Sequence, residues 1–188
     1  MQPMSPDTAH DPRVEAILEF WFRGDEERKE WFTKDPSFDD EIRARFLSLY
    51  EEGARGAFTA WRNSPRSALA LIVLLDQFPR NMFRGSARAF ATDALALETA
   101  RHAIASGHDR ALSKTKQTFI YLPFEHSENL ADQERALELF ADHPNTEWAQ
   151  RHYEIIKRFG RFPHRNAILG RQSTPAEIEF LKGPGSSF

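Results

Sequence analysis

The 188-residue chain contains no cysteine. That absence excludes thiolate nucleophiles, disulfides and cysteine-ligated zinc, and it fits a reducing compartment. There is no excess of positive charge either. The net charge is −3, so no global field draws nucleic acid, and no nucleic-acid partner is expected. The aliphatic run Leu69–Leu75 is far short of the roughly 20 residues a membrane helix needs. The opening "MQPMSPDTAHDP" has neither a basic nor an apolar leader region, so no secretory signal is expected. These absences predict a cytoplasmic protein with no membrane partner. The sequence also lacks a phosphate loop, a dinucleotide glycine fingerprint and a nucleophile elbow before Ser127, so no cofactor is called for. No segment alternates with a period of two, which removes the signal for half-buried strands.

What is present reads as helix almost throughout. Hydrophobic residues make up 40% of the chain and 16 residues are Phe, enough for a sizeable core. "DPRVEAILEFWF" places Asp11 as an N-cap and Pro12 at the first helical position. "SFDDEIRARFLSLYEEG" places Ser37 as the cap, with Asp40 as a weak stand-in for a capping-box Glu. Leu69–Leu75 is apolar almost all round and predicts a central buried helix. "TPAEIEFL" opens with a full capping box, Thr174, Pro175 and Glu177. Residues 1–10 and 183–188 are expected to be flexible tails flanking one all-helical domain over 11–182.

Three polar nodes follow alternate expected helices: "DQFPRNMFRG" (76–85), "YLPFEHSEN" (121–129) and "RFPHRNAILG" (161–170). Their prolines, Pro79, Pro123 and Pro163, are 44 and 40 residues apart. A spacing near 40 with two helices per interval predicts stacked antiparallel helical hairpins. In such a stack alternate helices end on one side, so the nodes are expected to converge.

"LALIVLLDQFPRNMFRG", "FIYLPFEHSENLADQ" and the 159–177 stretch "FGRFPHRNAILGRQSTPAE", with "VEAILEFWF" and "WFTKDPSFD", resemble the bacterial family called domain of unknown function 924. The resemblance spans roughly residues 13–182. It implies an all-α, tetratricopeptide-like superhelical fold, and it implies no activity.

The chemistry lies in the nodes. Residues 151–171 hold six Lys/Arg against Glu154 alone. Gly160 ends a helix and Pro163 disfavours helix at Phe162. The turn is therefore stiff, with Phe78, Phe159 and Phe162 expected as buried anchors. Arginine is an always-charged fork for carboxylates and phosphates. Arg80, Asn81, Arg84, Arg161, His164, Arg165, Asn166 and Arg171 are thus candidate ligand-binding residues for a small anionic metabolite. Asp76, on an otherwise apolar face, needs a partner such as Arg80 or Arg84 if it is buried. His126, Glu125 and Asp76 are candidate proton carriers. In "FEHSE" no helical two-ligand motif is present, and a metal would need outside ligands such as His152, His164 or Asp76; no metal site is expected. A purely local reading has Ser127 or Asn129 capping the next helix, with Glu128 at its positive end. His102 is expected to pair with Glu98, and His10, His108 and His143 to be solvated. Arg80, Arg84, Arg161, Arg165 and Arg171 outnumber the evident acids Asp76, Glu125 and Glu128, which favours surplus positive charge for a ligand. The rival reading is an interaction scaffold with a protein partner, its nodes being internal salt bridges.

Overall fold

The computed structural model describes residues 11–24 and 26–187. The expected tail over 1–10 lies outside them. Every regular element is helical, and no strand occurs among the described residues. By backbone contacts the chain divides into two units, one holding residues up to 84 and 88–123, the other 85–87 and 124–188.

In the first unit, α1 (Pro12–Phe22) starts as its sequence dictates. The Asp11 carboxylate accepts the Arg13 N–H, and Pro12 fills a position whose N–H would have no partner. α2 spans Pro36–Ala54. Its cap is Asp35 rather than the expected Ser37: the Asp35 side chain accepts from the Ser37 and Phe38 N–H groups, and Pro36 sets the first helical φ. The expected central helix is α3 (Pro65–Ile72), and residues 68–75 are all 3% exposed or less.

α3 does not stop at Ile72. It runs through a π-helical turn, Val73–Gln77, into α4 (Phe78–Met82). Pro79 is the reason the turn is tolerated there. Its nitrogen has no hydrogen to give the Leu75 carbonyl one turn back. That carbonyl is taken by the Thr92 hydroxyl instead, and the Asp76 carbonyl by the Arg80 guanidinium. The freed backbone acceptors thus find side-chain donors. Around this helix pack α5 (Asp93–Ala105) and an aromatic core in which Phe78 touches Phe46, Trp21 and Phe20. Phe119, on α6 (Lys114–Glu125), meets Trp21, Phe22 and Trp31 edge-on. Pro123 lies inside α6 rather than ending it. Proline removes one N–H but its fixed φ suits a helix, so the helix runs on to Glu125.

In the second unit α7 (Leu130–Leu139) packs on α8 (Thr146–Phe159). Asn129 caps α7 by accepting the Ala131 N–H. Gly160, at φ 70°, ends α8 in the left-handed region that disfavours a Cβ. Phe162 is extended and Pro163–Arg165 form a 3-10 turn. α9 (Pro175–Leu181) carries both halves of the expected capping box. At the C-terminal end, Ser186 is buried and its hydroxyl donates to the Leu181 carbonyl.

Candidate functional site

The charged residues of the first node lie in the first unit and pair with carboxylates there. Asp76 is fully buried. Gln77 donates to its Oδ2, and Arg80 lies 3.2 Å from its Oδ1. Arg80 also grips Asp93 through two bonds of 2.8 and 3.0 Å. Arg84 grips Asp39 through two bonds of 2.9 Å, and Asn81 donates to the same carboxylate at 2.8 Å. Arg43 reaches the Met82 carbonyl. Arg80, Asn81 and Arg84 therefore hold protein carboxylates. Sequence reasoning missed two of the acids, Asp39 and Asp93, which come from other helices.

The second and third nodes meet in the second unit. Glu128 accepts the Phe162 N–H at 2.8 Å and a fork from Arg171 at 2.6 and 2.9 Å. Burial pushes the Glu128 carboxyl up, but Arg171, the Phe162 N–H and the charge of Arg165 outweigh it and hold the carboxyl below its ordinary range. Arg171 further donates to Asn166 Oδ1 and to the Phe162 carbonyl. Arg161 forks onto Glu177 at 2.7 and 2.9 Å. That pairing, with the Thr174 N–H and Asn166, lowers Glu177 to about 2 against the opposing effect of burial. Glu177 was legible as a helix cap but not as the partner of Arg161; it serves as both. Asn166 also donates to Ser173 and Glu177.

At the centre of these pairs is the Phe162 ring, fully buried. The His152 ring meets it edge-on at 5.7 Å, the His164 ring lies at 5.7 Å, and the buried Arg165 guanidinium lies 4.6 Å from its centroid. His126 is 6.3 Å from His152, ring to ring. His152 Nδ1 is 2.8 Å from the Trp148 carbonyl, which can only accept, so Nδ1 carries the proton. Glu125 Oε2 is 3.4 Å from the same nitrogen. Glu125 is 1% exposed, whereas His126 and His164 are half-buried. Burial lowers the His152 imidazole to about 3; the bond to Trp148 opposes the shift, and His126, Arg165 and His164 add to it. His152 is therefore neutral at physiological pH.

The expected ring burial holds for Phe78 and Phe162, while Phe159 is only half-buried against Phe180. His102 does not pair with Glu98, because Arg62 takes that carboxylate at 2.6 Å. His143 is buried against Phe140 rather than solvated. His108 is half-buried, and burial lowers its pKa. His10 lies outside the described residues. Among the described residues no group of three or more His, Asp or Glu has the arrangement to hold a metal ion, and no helix is long and apolar enough to cross a membrane.

Residues 17–185 match the family described as bacterial protein of unknown function, DUF924. The chain belongs to that family. DUF924 membership accounts for the node sequences, since the match runs through all three. The solved structure of a protein of unknown function from Agrobacterium tumefaciens is similar, with 43% sequence identity and a TM-score of 0.88. The likeness covers 94% of this chain and 100% of that one. No curated protein matches the chain.

Proposed function

We propose that the second unit binds a small oxyanion, of carboxylate or phosphate type, at the imidazole and guanidinium groups around Phe162. The observation that carries this reading is the placement of His152, His164 and Arg165 about one buried ring, with His126 beside His152. The positive charge there is strong enough to add to the lowering of His152. Arg165 supplies the fixed charge for the anion, and His126 and His164 supply donors. Glu125 and His126 are the proton-carrying groups at the site. Arg161, Asn166 and Arg171 brace that part of the second unit by holding protein acceptors, and Arg80, Asn81 and Arg84 hold carboxylates within the first unit.

Binding to the native state raises stability by mass action, about 2.7 kcal/mol at a hundredfold excess over Kd. Thermal unfolding against a panel of phosphates and carboxylates, with chloride at equal ionic strength as the control for screening, should show a specific rise in Tm. Arg165→Gln should remove it and Arg84→Gln should not. One observation favours a second reading, an interaction scaffold whose nodes only brace the helices: four arginines already carry bidentate carboxylates. A panel with no shift beyond chloride would decide for the scaffold.

A further inference from the structure

α8 turns one side to the core of the second unit, where His152, Ile155 and Ile156 are buried. Its other side carries Glu147, Arg151, Glu154 and Arg158, all exposed. At about 100° per residue these four fall within about 60° of one another and form one outward row. Charge alternates along it: negative, positive, negative, positive. Glu147 and Arg151 pair with each other. Glu154 stands four residues before Arg158, the spacing that favours an ion pair within a helix, yet the two make none among the described residues. Glu154 accepts from Gln150 at 2.8 Å instead. The Arg158 guanidinium lies 4.6 Å from the Phe159 centroid and 5.8 Å from that of Phe180. Those rings hold its charge in place without neutralising it. Beside the row, Trp148 is 50% exposed, with the Arg151 guanidinium 4.8 Å from its ring. Tryptophan and arginine are the residues that most often anchor protein interfaces.

The order of charges selects the occupant. When a second α8 lies antiparallel across a two-fold axis between residues 152 and 153, Glu147 faces Arg158 and Arg151 faces Glu154. The symmetry makes each contact twice, so all four facing pairs are of opposite sign. A parallel copy sets like against like, and a uniformly acidic or basic partner meets two like charges. We infer that the outward row of α8 is a self-complementary contact face, and that its partner is a second copy of this chain. The row lies on the side of α8 turned away from His152, so the inference does not rest on the anion-binding reading. One helix of 14 residues is about 21 Å long and covers less than the roughly 1,200 Å² of a stable interface. The dimer is therefore weak, reversible and sensitive to salt.

Sedimentation velocity of the full chain tests this, at rising concentration up to about 1 mM and in about 0.05 M and 0.5 M salt. A monomer–dimer equilibrium should appear, and salt should shift it towards monomer. Arg151→Glu sets like charges at both contacts between 151 and 154, and should weaken the dimer about tenfold or more. Adding Glu154→Arg to that variant reverses both partners and should restore the dimer. Arg110→Glu makes the same change of net charge at an exposed position in the first unit, and should leave the dimer as it was. Circular dichroism checks that each variant keeps its helix, and the salt series on the unaltered chain stands without any variant. A monomer at every concentration overturns the inference. So does a dimer that Arg151→Glu leaves intact, or that Arg110→Glu weakens equally. A double exchange that fails to restore the dimer overturns the antiparallel pairing.

Discussion

The two units use their node arginines in different ways. In the first, Arg80 and Arg84 each face a carboxylate through two bonds, and Asp39 takes a third donor from Asn81. Such a closed clamp fixes geometry. In the second, beside the clamps Arg161–Glu177 and Arg171–Glu128, there is a group of another kind, where two imidazoles and Arg165 share one phenyl ring. Imidazole charge depends on surroundings, whereas guanidinium charge does not. The first arrangement suits bracing, and the second is the one proposed to take an anion.

The contrast is tested most severely at its centre. Phe162→Ala should destabilise the protein by about 3–5 kcal/mol, the cost of emptying a fully buried aromatic site, measured by urea unfolding. A loss below about 1 kcal/mol would mean that the ring organises nothing.

The next effect is in pH. His152 is neutral in the fold down to about pH 3, yet takes up a proton near its ordinary pKa of about 6.5 once unfolded. Between those values the unfolded chain binds more protons, so stability falls as pH falls. The loss from this residue between pH 7 and pH 5 should be about 2 kcal/mol. Chemical unfolding at the two pH values measures it, and His152→Gln should flatten the slope. If the variant keeps the full slope, the responsive group lies elsewhere. The Glu177 carboxylate acts lower. Its pKa is depressed in the fold, so its contribution is complete above the unfolded value and disappears as pH falls towards about 2.

The smallest effect belongs to the first unit. Thr92→Val removes the hydroxyl that satisfies the Leu75 carbonyl and should cost about 1–2 kcal/mol, without altering any anion-dependent rise in Tm. A change in that rise would break the division of labour between the units.

Much of the helical framework was legible because its signals are local. Asp11 with Pro12, Gly160, and Thr174 with Glu177 act within one turn of chain, and all three operate as read. The α2 start was misread because two capping residues stand two apart, and Asp35 before a proline outcompetes Ser37. The acids of the first node were not legible. Asp39 meets Arg84 across 45 residues, and only tertiary packing chooses between carboxylates at that range. His152 had a usable signal, since it falls with Ala149 and Ile156 on the buried stripe of α8. A histidine on such a stripe is poorly solvated and deserved the rank given to His126.

The π turn at Val73–Gln77 also sets the phase of the helix that contains it. One residue more than an α-helical turn holds rotates everything downstream by about 100°. Asn81 and Arg84 reach Asp39 only with that rotation included. Removing a single residue from Val73–Gln77 would restore an even spiral and swing Asn81 a quarter-turn or more away from α2. The clamp on Asp39 is thus written as a count of residues upstream as much as by the residues that form it.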